Sequence, residues 1–147
     1  MEKSIDLTFS GNLKETFGLP EKDWKLYSPL TLAYLGDAAY EVIIRTIFVK
    51  RANCQPQKLH QKVTSLVSAK TQARMIQGLL PELTEEEAAI YRRGHNSKPY
   101  TKAKNASMQE YLEATGFEAV IGYLYLQEDF ARMNELVRRG LELLDVG

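Results

Sequence analysis

The chain has 147 residues, of which 44% are apolar and 26% charged, with a single cysteine. That is the length of one domain and the composition of an ordinary soluble globule, large enough to bury a core without disulfide or structural metal. Cys54 alone excludes an intrachain disulfide and any multi-cysteine zinc site, which fits a reducing cytoplasm. The charged N-terminus has no signal-peptide core, and no apolar run approaches a membrane span.

Nineteen basic and nineteen acidic residues cancel, but they are segregated. No acid lies between Glu41 and Glu82, or from Ala88 to Gln109. Twelve basic against four acidic residues over 42–109 give that stretch a net +8, balanced by −8 elsewhere. Such separation builds a face for an anionic partner, nucleic acid or phosphate, although helix surfaces also collect lysines by chance.

In chain order, residues 1–20 read as a loosely held arm ahead of one domain over 21–147. Ser28-Pro29 is an N-cap followed by proline at the first helical position, opening a helix from Leu30 to about Lys50. That helix is apolar on almost every side, as expected of a central core helix or a subunit interface. A second helical region starts near Gln55-Pro56 and runs to about Leu80, where Pro81 ends it. Thr84-x-x-Glu87 is a capping box opening a short helix to Arg93, with Gly94 placed to terminate it. Residues 94–106 lack periodicity and read as a basic loop. Ser107-x-x-Glu110 is another capping box, launching a helix to about Leu126, and Asp129 begins a last amphipathic helix. The fold class is all-α, a helical bundle.

Two carboxylates sit in unusually apolar company. Asp37 lies midway along the first long helix, and Glu118 within Thr115-Gly-Phe-Glu-Ala-Val-Ile-Gly122. Burying an unpartnered carboxylate costs several kcal/mol, and the escapes are protonation, ion pairing or a metal. Gly36 adjoins Asp37, and Gly116 and Gly122 flank Glu118. Close approach of the two helix backbones at Gly36 and Gly122 would bring both acids within reach of one ion. Their hard oxygens suit Mg²⁺ or Mn²⁺. In the competing account Asp37 faces solvent and Glu118 pairs with an arginine. Glu41, four residues after Asp37, is either a further ligand or the partner of Arg45 in an i,i+4 salt bridge.

Weaker features carry less. His60 and His95 lack metal-ligand spacing, Cys54 has no adjacent base, and no glycine-rich phosphate loop exists. Most tyrosines fall at helical spacing and belong to a core or interface. Tyr100, in the basic loop, is placed to stack on or abut a ribose.

At these residues the sequence resembles the ribonuclease III family, most closely its Mini-III branch. Leu32-Ala-Tyr-Leu-Gly-Asp-Ala-Ala-Tyr-Glu41 is similar to the family's signature helix, and Ala114-Thr-Gly-Phe-Glu-Ala-Val-Ile-Gly-Tyr-Leu-Tyr-Leu126 to its later Phe-Glu-Ala-Leu-Ile-Gly helix. Leu66-Val67 and Arg92-Arg93-Gly94-His95-Asn96 also resemble the Mini-III pattern. The resemblance implies an all-α endonuclease domain that homodimerises through its signature helix. It implies Mg²⁺-dependent cleavage of double-stranded RNA, with Mn²⁺ able to substitute. It further implies trimming of precursor large-subunit ribosomal RNA, with room for a ribosomal protein to assist, and no double-stranded-RNA-binding domain within the chain. By residue match, Asp37 and Glu118 fall on the family's two essential metal carboxylates. Ala33 and Thr115 stand where full-length members carry two more acids, and His95 where an arginine is usual in the Mini-III loop. On this reading Arg92, Arg93, Lys98, Lys102 and Lys104 neutralise phosphates, while His95, Asn96 and Ser97 contact phosphate oxygens. Two rivals remain open on the residues alone. One is a non-catalytic RNA-binding or ribosome-assembly module with structural acids. The other is an all-α nucleotide pyrophosphatase using Glu110-x-x-Glu113.

Overall fold

The computed structural model describes residues 8–52, 55–97 and 107–146. Among them are seven α-helices: α1 (Phe9–Phe17), α2 (Pro29–Arg51), α3 (Pro56–Leu66), α4 (Ala69–Leu79), α5 (Glu85–His95), α6 (Met108–Leu126) and α7 (Phe130–Leu143). Short 3₁₀ turns occur at Trp24–Leu26 and Leu80–Glu82, and no strand occurs among the described residues. None of these helices is long and apolar enough to cross a membrane.

The architecture follows from α6. From Glu113 to Leu124 every residue but Glu118 is buried. A helix without a polar face must be surrounded, and α2, α4, α5 and α7 all pack on it. The densest contact is with α2, whose inner flank is Leu32, Ala33, Gly36, Tyr40 and Ile44. Its outer flank leaves Tyr34, Ala38, Val42 and Val49 exposed, so the all-round apolarity of α2 divides into a core side and an open side.

The start signals are where the sequence places them. Ser28, Thr84, Ser107 and Asp129 are the N-caps of α2, α5, α6 and α7, and both capping boxes close reciprocally. Within residues 1–20, read as an arm, Phe9–Phe17 form α1, capped by the Thr8 hydroxyl and by Gly18 at φ 59°. Two expectations change. The helical region expected over 55–80 is divided into two helices, because Ser68 adopts an extended backbone and its Oγ accepts from the Thr71 amide at 3.2 Å, restarting the helix. Ser68→Ala removes that cap and is expected to cost about 1 kcal/mol, read as a lower urea midpoint with unchanged slope. Gly94 does not terminate α5 but lies inside it. A Cβ there would come 2.9 Å from the Gly116 Cα, so the glycine permits the α5–α6 contact.

Arg132 of α7 fastens the far side of the bundle. Its guanidinium donates to both Glu87 oxygens at 2.9 and 2.8 Å and to the Glu82 carbonyl at 2.9 Å. Burial alone would raise the Glu87 carboxyl, but the Arg132 and Thr84 hydrogen bonds outweigh it and hold the group below the usual carboxylate range. This clamp contributes stability at neutral pH and loses it as acid protonates Glu87.

Candidate active site

Where α2 crosses α6, Gly36 meets Gly122 with no side chain between. A Cβ on Gly36 would stand 2.7 Å from the Gly122 nitrogen and inside the envelope of the Glu118 carbonyl oxygen. One on Gly122 would stand 2.9 Å from the Leu32 carbonyl carbon. The two backbones therefore touch, as the flanking glycines suggest. This contact brings Asp37, the residue after Gly36, alongside Glu118, one turn before Gly122, and their carboxyls are hydrogen-bonded to each other.

Asp37 is exposed and Glu118 partly buried. Burial first, then the hydrogen bond and charge of Asp37, push the Glu118 carboxyl up to about 9, against a weaker pull from a Gln72 hydrogen bond. Beside the Asp37 carboxyl and out of water, Glu118 therefore keeps its proton at neutral pH when no cation is present. Among the described residues no arginine or lysine neutralises Glu118, and the side chains that shift it are Asp37 and Gln72. Tyr40, three residues beyond Asp37, is fully buried under this pair, and its hydroxyl donates to the Leu66 carbonyl at 2.7 Å.

The donor set fits a small divalent cation. Mg²⁺ and Mn²⁺ are held by one or two carboxylates with water and phosphate oxygens completing the shell, and hard oxygen donors from two separate helices meet here. Among the described residues no third Asp, Glu, His or Cys joins them. Glu41 is turned to Arg45, Oε2 to Nη2 at 3.5 Å along α2.

The other anticipated contact residues lie at the end of α5. Arg92 is exposed. Arg93 stacks over the Trp24 ring, 5.8 Å from its centroid, and reaches the Tyr27 carbonyl at 3.4 Å. It thus ties the Trp24–Leu26 turn to α5, with Trp24 set edge-on to Tyr123 at 5.2 Å. The His95 ring lies 5.7 Å from that of Tyr91, and its Nδ1 is 3.3 Å from Asn96 Oδ1. The Ser97 hydroxyl donates to the Arg93 carbonyl at 2.8 Å, closing the helix end. Lys98, Lys102 and Lys104, with Tyr100, lie outside the described residues, as does Cys54.

Sequence reasoning passes over Gln72 and Trp24. Gln72 breaks the apolar flank of α4, formed otherwise by Ala73, Met75, Ile76 and Leu79, and that interruption is a readable signal. Nothing local marks Trp24 as the seat for Arg93, since the two are far apart in sequence.

A model of the ribonuclease III domain matches residues 30–129, spanning both crossing helices and the carboxyl pair. The chain belongs to the ribonuclease III family. Its similarity to members called Mini-ribonuclease 3 is extensive. With that of Clostridium tetani it shares 44% identity over 126 residues, covering 85% of this chain and 83% of the relative. With that of Streptococcus pneumoniae it shares 47%, covering 78% and 91% respectively. With that of a Thermoanaerobacter species it shares 39% over 99% of both chains. A crystal structure of a Fusobacterium nucleatum protein superposes with a TM-score of 0.75 at 31% identity, over 83% of this chain and 94% of that one. As a ribonuclease III family member the chain is an endoribonuclease, and the family acts on double-stranded RNA. The pyrophosphatase alternative loses its motif as well. Glu110 is engaged in the capping box of α6, and buried Glu113 accepts from Gln77 Nε2 at 2.6 Å.

Proposed function

We propose that this endoribonuclease cleaves double-stranded segments of precursor large-subunit ribosomal RNA with Mg²⁺ or Mn²⁺, working as a homodimer. The observation that carries the reading is the Asp37–Glu118 pair, two hydrogen-bonded carboxyls with no cationic partner among the described residues, on a chain with a basic half. Asp37 and Glu118 would hold the cation. When bound, the ion supplies charge stabilisation on the phosphodiester and an acidified water. The chain's own residues do the rest. Glu118 releases its proton as the pair becomes a ligand set. The Gly36–Gly122 contact fixes the separation of the two acids, and Arg92 and the basic segment after it hold the polyanion. Recognition is by duplex shape and phosphate, because side chains cannot read the deep major groove of A-form RNA.

Support for the homodimer comes from the outer flank of α2. There Leu35, Ala38, Ala39, Val42 and Ile43 border an apolar hollow of about 460 Å³. A second copy laid against this flank would cover Tyr34 and Val42, which a solitary chain leaves 83% and 63% exposed.

Two measurements test the reading. Purified protein incubated with total cellular RNA and Mg²⁺ is expected to release fragments whose mapped ends lie in a duplex flanking the large-subunit ribosomal RNA; cuts confined to single strands would overturn it. Arg92→Ala is expected to weaken duplex binding and reduce the slope of log K against log salt by about 1, read by fluorescence anisotropy. An unchanged slope would move the RNA face away from α5.

A further inference from the structure

Gln72 is only 1% exposed. A buried amide brings two donors and an acceptor, and each group left unmatched costs about 1–3 kcal/mol. Its Nε2 reaches the Val67 carbonyl at a long 3.5 Å, and the side chain hydrogen-bonds the Glu118 carboxyl. Its Oε1 has no partner, and among the described residues it is the only buried side-chain polar atom in that state.

The seat of this amide is firmly built. The corner between α3 and α4 is held by the Tyr40 hydroxyl on the Leu66 carbonyl, and by Thr71 Oγ1 and Ser68 Oγ on the Ser65 carbonyl at 2.6 and 3.1 Å. Tyr40 belongs to α2, the helix that carries Asp37. Thus α2 steadies the corner, the corner offers Val67 to Gln72, and Gln72 steadies Glu118. Packing does not require any of this, since methionine or leucine would fill a similar volume without desolvating an amide.

We propose that Gln72 is a positioning residue of the active site, whose amide orients the Glu118 carboxyl for a divalent cation and leaves Oε1 as an acceptor for cation-bound water. The inference rests on Asp37 and Glu118 being cation ligands. Partners of this outer kind commonly set ligand orientation, and their loss costs about 10- to 100-fold in metal affinity or activity.

The test uses the full chain with Gln72→Met and Gln72→Leu. Mn²⁺ binding without RNA is followed by the electron paramagnetic resonance of the free ion. The expected result is Mn²⁺ affinity about 10-fold weaker or more, a comparable fall in kcat on duplex RNA and an unchanged KM. The thermal midpoint should stay at or above the parent's, because a buried amide with one orphaned atom has been replaced by an apolar group. A folded variant whose Mn²⁺ affinity and kcat stay within about twofold of the parent overturns the role of Gln72, being well short of the outer-partner effect. If Glu118→Gln abolishes Mn²⁺ binding while Gln72→Met retains it, the cation reading stands and the inference fails. If the parent itself binds no Mn²⁺, both fail.

Discussion

Asp37→Asn and Glu118→Gln are each expected to abolish cleavage of duplex RNA while leaving duplex binding in place. Each removes one of only two carboxylates that meet at the α2–α6 crossing among the described residues. Losing the ion's charge stabilisation forfeits several kcal/mol in the transition state, a fall of about 10³-fold or more in kcat. Gel assays of a labelled duplex in Mg²⁺, beside anisotropy in chelator, separate the two effects, and either variant cutting at the parental rate would dismiss the site. The Glu118 change has a second signature. Its carboxyl is raised from 4.5 to about 9 in the fold, so the native state keeps a proton that the unfolded chain has shed. Without metal, the contribution of Glu118 to native stability therefore falls as pH rises from about 4.5 towards 9. Glu118→Gln cannot titrate, so across that window its stability is expected to decline less with pH than the parent's, read from thermal midpoints.

Gly36→Ala is expected to disrupt the α2–α6 crossing strongly. The added Cβ meets the backbone of α6, with Gly122 N at 2.7 Å and Glu118 C at 2.8 Å, and no rotamer can relieve a backbone clash. The helices must separate, at a cost of about 3 kcal/mol or more, the upper end for overpacking. For a domain of this size that lowers the thermal midpoint by roughly 10 °C. Cleavage should fall with it even at temperatures where the variant is folded, since separation carries Asp37 away from Glu118. A variant with parental midpoint and activity would show that the crossing tolerates a side chain.

Much of this architecture is legible in the order of the amino acids. Each capping residue named from sequence heads a helix, because Ser, Thr and Asp satisfy exposed amides through local chemistry. The meeting of Asp37 with Glu118 is legible too, because glycine inside an apolar helix has few uses besides close approach. The break at Ser68 escapes notice because apolar spacing continues across it through Leu66, Val67 and Ala73, and periodicity masks the cap. Gly94 misleads because a terminating glycine and a packing glycine look alike until the neighbouring helix is known. Arg93 reads simply as a cation for phosphate, while its ties to Trp24 and Tyr27 depend on the tertiary fold.

The bare-backbone junction between α2 and α6 has one more effect. Two main chains in contact anchor the residues that carry the carboxyls, so their backbones have less freedom to part than those of a loop-built site. Ions of larger radius, such as Ca²⁺ at about 2.3–2.6 Å from its oxygens, ask for more room and more donors than Mg²⁺ at about 2.0–2.1 Å. With the proposed cation between the two acids, the glycine pair would act as a gauge, and discrimination by ionic size would lie in the junction of the helices rather than in the acids themselves.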